Sequence, residues 1–156
     1  MPIKVYIWLP HGENLGHSSL ELSDGTYISW WPTKKEFKNK SSIVTRVGSI
    51  LRSPAALSEN LDEDNGLEGN PPNIIYTLPD GRIDEDAIRE WWVPFSMNQE
   101  YRVFDQNCCH VVFKALEAGR AWMFITDEDV IRRGSTLLKP VEIDRLVNKL
   151  LMILQN

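Results

Sequence analysis

Residues 105–116, Asp-Gln-Asn-Cys-Cys-His-Val-Val-Phe-Lys-Ala-Leu, constrain this chain more than any other stretch. Cys108, Val111, Val112, Ala115 and Leu116 recur at the spacing of one buried helical face, which predicts a helix laid on a core. Asp105 and Asn107 carry side chains that cap helix starts, so Cys108 belongs in or beside the first turn. Gly119 can close the helix as a left-handed C-cap. A helix N-terminus offers unpaired N–H groups and a partial positive charge, and both favour a thiolate over a thiol. With an imidazole beside it, such a cysteine becomes a nucleophile near neutral pH. The same spacing also suits a cysteine that only packs, because cysteine is among the most buried residue types. The stretch alone leaves both readings open.

At 156 residues the chain is long enough for one hydrophobic core and short for two, so a single domain over 1–156 is expected. A net charge of −5 argues against a general nucleic-acid binder. Lys34-Lys35 and Arg132-Arg133 are short basic pairs that read as solvated surface. Adjacent Cys108 and Cys109 make no disulfide framework, because neighbouring residues bridge only with strain. That usage suits synthesis in a reducing, cytoplasmic setting. Ile3 to Leu9 is too short for a signal peptide and runs into Pro-His-Gly-Glu instead of a cleavage site. Export by a route that needs no signal peptide stays open. No apolar run reaches the length of a membrane span, so stable membrane insertion is not expected.

Ile3 to Leu9 reads as a strand whose weak alternation suggests cover on both faces. A glycine-bearing loop follows, with His11 as ordinary surface. His17 to Leu22 and Thr26 to Trp31 flank Ser23-Asp24-Gly25, and Asp-Gly between two such runs is a strong hairpin signal. Strand alternation puts His17 on one face with Ser19 and Glu21, opposite Leu20 and Leu22. His17, at the strand start, either faces a cleft or merely caps the strand at the surface. Lys34 to Lys40 reads as charged surface and Ile43 to Val47 as a short strand. Ser53-Pro54 reads as the start of a short helix. The acidic, Gly-, Asn- and Pro-rich stretch Leu61 to Pro72 reads as a long loop, either flexible surface or a lid or binding element, with flexible surface the favoured reading. A strand at Ile74–Leu78, a helix capped by Asp84 and stopped by Pro94, and a strand at Tyr101–Phe104 come next. An apolar segment follows over Ala121–Ile125, then a short helix over residues 127–133. Finally comes an amphipathic helix, Pro140 to Leu154, with Val141, Leu146, Val147, Leu150, Leu151 and Leu154 on the core.

Two stretches together carry a resemblance. His17-Ser-Ser-Leu-Glu-Leu-Ser-Asp-Gly-Thr-Tyr-Ile-Ser29 resembles the histidine hairpin of the circularly permuted papain-like hydrolases. That group includes the lecithin:retinol acyltransferase family, the PPPDE peptidases and permuted relatives of NlpC-type peptidases. Asn107-Cys108-Cys109-His110-Val111-Val112 is similar to the group's Asn-Cys motif, which opens the helix bearing the nucleophile. The resemblance implies an α+β fold, an antiparallel β-sheet packed against helices, with the nucleophile at a helix N-terminus. It implies Cys108 as nucleophile and His17 as base. Ser29 stands where the acyltransferase family has a second histidine, and so becomes the orienter of His17.

The implied chemistry is a cysteine hydrolase that cleaves an amide or isopeptide bond through a thioester acyl-enzyme. Lipid acyl transfer, phospholipase action and protein deamidation are alternatives that use the same dyad. A binding module that kept the fold is the non-enzymatic one. The expected partner is a peptide, protein or acyl substrate, and no cofactor is expected. Cys108, Cys109 and His110 lack the gap that lets zinc ligands converge. The chain has neither a nucleophile-elbow motif nor a Gly-rich phosphate loop.

Overall fold

The computed structural model describes residues 1–12, 14–32, 52–98, 100–126 and 137–156. The expected strand at Ile43–Val47, the charged piece at Lys34–Lys40 and the helix over residues 127–133 lie outside them. Within them the fold is α+β, with antiparallel sheets packed against helices. Strands β1 (Ile3–Trp8), β2 (His17–Glu21), β3 (Tyr27–Ile28) and β6 (Ile74–Leu78) form one sheet in the order β3-β2-β1-β6. Strands β4 (Trp30–Pro32), β5 (Arg52–Leu57) and β7 (Glu100–Arg102) form a second sheet in the order β4-β5-β7. The described helices are α1 (Leu61–Glu68), α2 (Glu85–Asn98), α3 (Cys108–Ala118) and α4 (Pro140–Leu154), with a 3₁₀ turn at Ala121–Phe124.

Both faces of the first sheet are covered, as the weak alternation of β1 suggests. Ile3, Val5 and Ile7 point into the main core, with Leu20 from β2 and Val112, Leu116, Ile143 and Leu150 from α3 and α4. Tyr6 and Trp8 point the other way and pack with Tyr27 beneath Leu61 of α1. Helix α3 lies against β2 and between α2 and α4. The sheet is therefore sandwiched between α3 on one side and α1 on the other. This arrangement brings groups from opposite faces together at the strand's end.

The hairpin forms with its turn at Asp24-Gly25, but its second arm is not one strand. Tyr27–Ile28 pairs with β2, pairing lapses at Ser29, and Trp30–Pro32 pairs with β5. Ser53-Pro54-Ala55-Ala56-Leu57 is strand, not the expected helix. Its first half pairs with β7 and its second half with β4, so Pro54 sits where pairing changes sides and its missing N–H disturbs the ladder least. Proline also biases the preceding Ser53 toward extended backbone. Leu61 to Glu68 is helix, not flexible loop. Asn60 caps it by accepting from the Glu63 N–H, three acidic residues occupy the first turn, and Gly69 ends it in the left-handed region at φ 80°.

Pro94 does not stop α2, which continues to Asn98. Glu90 and Pro94 are both exposed, so the carbonyl that loses its partner can meet water. The turn beyond is held by the Trp91–Phe95 stack and by the Ser96 hydroxyl on the Val93 carbonyl. Asp84 caps α2 through the Ala87 N–H, as expected. In α4 Ile143 takes the buried place expected for Val141, which is exposed.

Two glycines are fixed by close approach. Gly119 ends α3 but is not left-handed; its φ is −75°. A Cβ there would lie 2.7 Å from Ile83 and 2.8 Å from Ile88, so contact with the neighbouring segment demands glycine. Gly16, just before His17, has φ 85°, and a Cβ would lie 2.5 Å from the Trp8 carbonyl and 2.9 Å from Pro140. Gly16→Ala should therefore destabilise the fold by roughly 1–3 kcal/mol or more. Urea unfolding checks this, and an unchanged midpoint would contradict the packing described for the entry to β2.

Candidate active site

Asn107 shapes the start of α3. Its Oδ1 accepts from the Cys109 and His110 N–H groups, and its Nδ2 donates to the carbonyls of Val103 and Leu138. Asn107 N–H in turn donates to His110 Nδ1, which closes a capping box and gives His110 a structural task. Asp105 does not cap; its carboxylate pairs with Arg102. Cys108 is thus the first residue of the helix, with its N–H outside Asn107's reach.

His17 is not a surface cap. It is 1% exposed, enclosed between Trp31, stacked at 3.9 Å between ring centres, and Trp8 at 5.3 Å. Its Nε2 lies 2.9 Å from Ser29 Oγ and 3.3 Å from Asp64 Oδ2. That engagement leaves Nδ1 for Cys108, whose negative charge raises the ring's pKa and is stabilised by it in turn. Cys108 arrives from the opposite face of the sheet. It does so because β3 pairs only with Leu20 and Glu21, leaving the edge of β2 uncovered at Ser18. There the Ser18 backbone helps to stabilise the Cys108 thiolate. The structure brings together all three residues singled out from the sequence, Cys108, His17 and Ser29.

The group missed in the sequence is Asp64. It is fully buried, and four donors converge on its carboxylate. Tyr27 OH donates at 2.6 Å, Trp31 Nε1 at 2.8 Å, Ser29 Oγ at 2.9 Å and His17 Nε2 at 3.3 Å. Every lone-pair direction of the carboxylate is used. Ser29, at the strand break, therefore bridges His17 to the carboxylate and is not the terminal orienter. The pattern Asn60-x-x-Glu63 followed by Gly69 is the sequence signal that reveals α1 and hence Asp64.

The electrostatics follow from this enclosure. Burial alone would raise the Asp64 carboxyl, but the His17 hydrogen bond and charge and the Tyr27 hydroxyl hold it well below the usual range. Burial alone would also lower His17; the negative charge on Cys108 and the Asp64 hydrogen bond instead push it up to about 10. Cys108 is held well below an ordinary thiol, first by the hydrogen bond from Cys109. His17 and the Ser18 N–H add to that, and together they outweigh burial. Cys109 moves the other way, raised by burial and by the Cys108 charge. The two sulfurs are 3.9 Å apart, and Ser18 Oγ donates to Cys109 at 3.4 Å. Cys109 is thus a protonated donor to a Cys108 thiolate, supported from behind by Ser18.

The comparisons with family models, with curated proteins and with solved structures find no match. Among the described residues no helix is long and apolar enough to cross a membrane.

A carboxyl whose folded-state pKa is depressed adds stability above its unfolded value, about 3.9, and loses it as pH falls below that value. Asp64→Asn should cost about 3–5 kcal/mol at neutral pH by stranding buried partners. It should also flatten the fall in stability below about pH 4. Denaturant unfolding across pH checks both; a variant as stable as wild type with the same acid limb would contradict the network.

Proposed function

We propose that the chain is a cysteine hydrolase of permuted papain-like build that cleaves an amide or isopeptide bond. The observation that carries this reading is the buried His17, held through Nε2 by Ser29 and Asp64; its charge and that of Cys108 stabilise one another. A packing cysteine has no use for an imidazole clamped by a buried carboxylate. Histidine on an early strand and cysteine on a later helix is also the order of the permuted group.

In this mechanism Cys108 is a thiolate and His17 an imidazolium at the outset. The thiolate attacks the scissile carbonyl carbon, forming a C–S bond. The oxyanion is stabilised by the Cys108 N–H at the head of α3 and by a neighbouring donor. Tyr101 of β7 is our choice for that donor. It is buried, and that burial with the negative charge of Cys108 raises its pKa and keeps it protonated. His17 gives its Nδ1 proton to the leaving amine as the C–N bond breaks. It then takes a proton from water, which resolves the thioester to the acid and regenerates the thiolate. Asp64 and Ser29 act through His17, fixing its ring and its charge.

An activated ester tests the chemistry without knowledge of the natural substrate. With p-nitrophenyl acetate, wild type should form an acetyl thioester on Cys108, seen on that peptide by mass spectrometry and removed by hydroxylamine. Cys108→Ala should form none, and His17→Ala should turn over roughly 100- to 10,000-fold more slowly. Acetylation of Cys109 instead, or unchanged turnover in Cys108→Ala, would overturn the proposal.

A further inference from the structure

A cavity of about 260 Å³ is lined by Trp8, Leu9, His11, Glu68, Pro71 and Pro72 among others. Its volume falls below the ~300–1,000 Å³ typical of pockets for drug-sized ligands, and suits a single side chain. Trp8 joins it to the site, for its ring lies against both the cavity and His17. The loop segments around it are tied down. Trp8 Nε1 donates to the Asn70 carbonyl, Leu9 N–H to Asn73 Oδ1, and Asn14 Nδ2 to the Glu68 carbonyl.

Glu68 stands out in this wall. It is 8% exposed and lies one helical turn beyond Asp64 on α1, facing the same site. Among the described residues no salt bridge reaches its carboxylate. A buried carboxylate without a counter-charge is unfavourable, and it gains from any cation that enters. The neighbouring charges add to this. Asp64 and His17 compensate one another, the Cys108 thiolate is a further negative charge, and Glu68 makes a second. Trp8, Leu9, Pro71 and Pro72 offer apolar walls leading to that charge. Long basic side chains match such a pattern, with an apolar stem and a charged head.

We propose that this cavity is the subsite for a lysine or arginine side chain of a peptide substrate, with Glu68 as its counter-charge. The inference rests on the catalytic reading above and adds the substrate class. Glu68 also makes the selection depend on pH. Burial pushes it up to about 7, with Cys108 and Asp64 raising it further against the positive influence of His17 and His11. Selection for a cation therefore strengthens as pH rises through about 7.

The test is a set of N-substituted iodoacetamides bearing aminopentyl, guanidinobutyl, hexyl or carboxypentyl chains, with labelling of Cys108 followed by mass spectrometry. In wild type at pH 8 the two cationic reagents should label Cys108 about 10-fold faster than the hexyl reagent, a ratio equal to one charge-assisted contact. The carboxypentyl reagent should be the slowest. In Glu68→Gln the cationic preference, each rate taken relative to unsubstituted iodoacetamide on the same protein, should fall to about 2-fold or less. In wild type the preference should shrink at pH 6. The wild-type comparison stands whether or not the variant folds. A reactive Cys108 that does not discriminate among the charges, or a preference retained in folded Glu68→Gln, overturns the subsite alone. A Cys108 unreactive toward the whole series overturns the catalytic reading and the subsite with it.

Discussion

Everything in the site depends on one buried carboxylate. Asp64 sits out of water, where a lone charge is strongly unfavourable, and it is tolerated because Tyr27, Ser29, Trp31 and His17 all donate to it. Those same donors come from the strands and the strand break that form one face of the first sheet. The carboxylate therefore holds α1 onto that face and fixes the orientation of His17 in a single arrangement. A protonated imidazole so fixed, stacked on Trp31, is the positive charge that draws a thiolate to Cys108. Polar satisfaction of Asp64 and stabilisation of the Cys108 thiolate are the same set of contacts viewed from two ends.

The architecture is what lets the two ends meet. His17 and Cys108 approach from opposite faces of β2, one under α1 and the other at the head of α3. They can touch only at an uncovered edge. The shortness of β3 provides that edge, and Ser29, where its pairing ends, reaches both His17 and Asp64. Gly16 brings the chain into β2 through a space no side chain could occupy. Cys109, pointing into the core beside Ser18, is a donor to its neighbour.

Much of this was legible in the sequence, and the losses have a common cause. The hairpin, the helix at Cys108 with its Asn107 cap, the Asp84 cap and the final amphipathic helix follow local rules of turn chemistry and apolar spacing. Helix α1 breaks those rules because the residues it buries are Asp64 and Glu68, both acidic. Their spacing is helical, yet a search for apolar periodicity passes over them, and Gly66, Asn70 and the prolines beyond suggest a loop. Strand β5 was hidden because Ser-Pro usually opens helices, and only its split pairing makes Pro54 acceptable in a sheet. Ser29 enters only through the resemblance, at the place of the acyltransferase family's second histidine, and its role as a bridge depends on Asp64. Sequence patterns report apolar burial well; a functional site is where a chain buries charge.

The most direct measurement of the central claim is the pH dependence of iodoacetamide alkylation, with Cys108 and Cys109 read separately by mass spectrometry in wild type and His17→Ala. The account predicts that Cys108 reacts as a thiolate well below the pH at which an ordinary thiol, with a pKa of about 8.5, would do so. It predicts that Cys109 stays inert over the same range, and that the low-pH reactivity of Cys108 disappears in His17→Ala. If both cysteines label slowly as ordinary thiols, with a profile that His17→Ala leaves unchanged, Cys108 is a packing residue and the account is wrong.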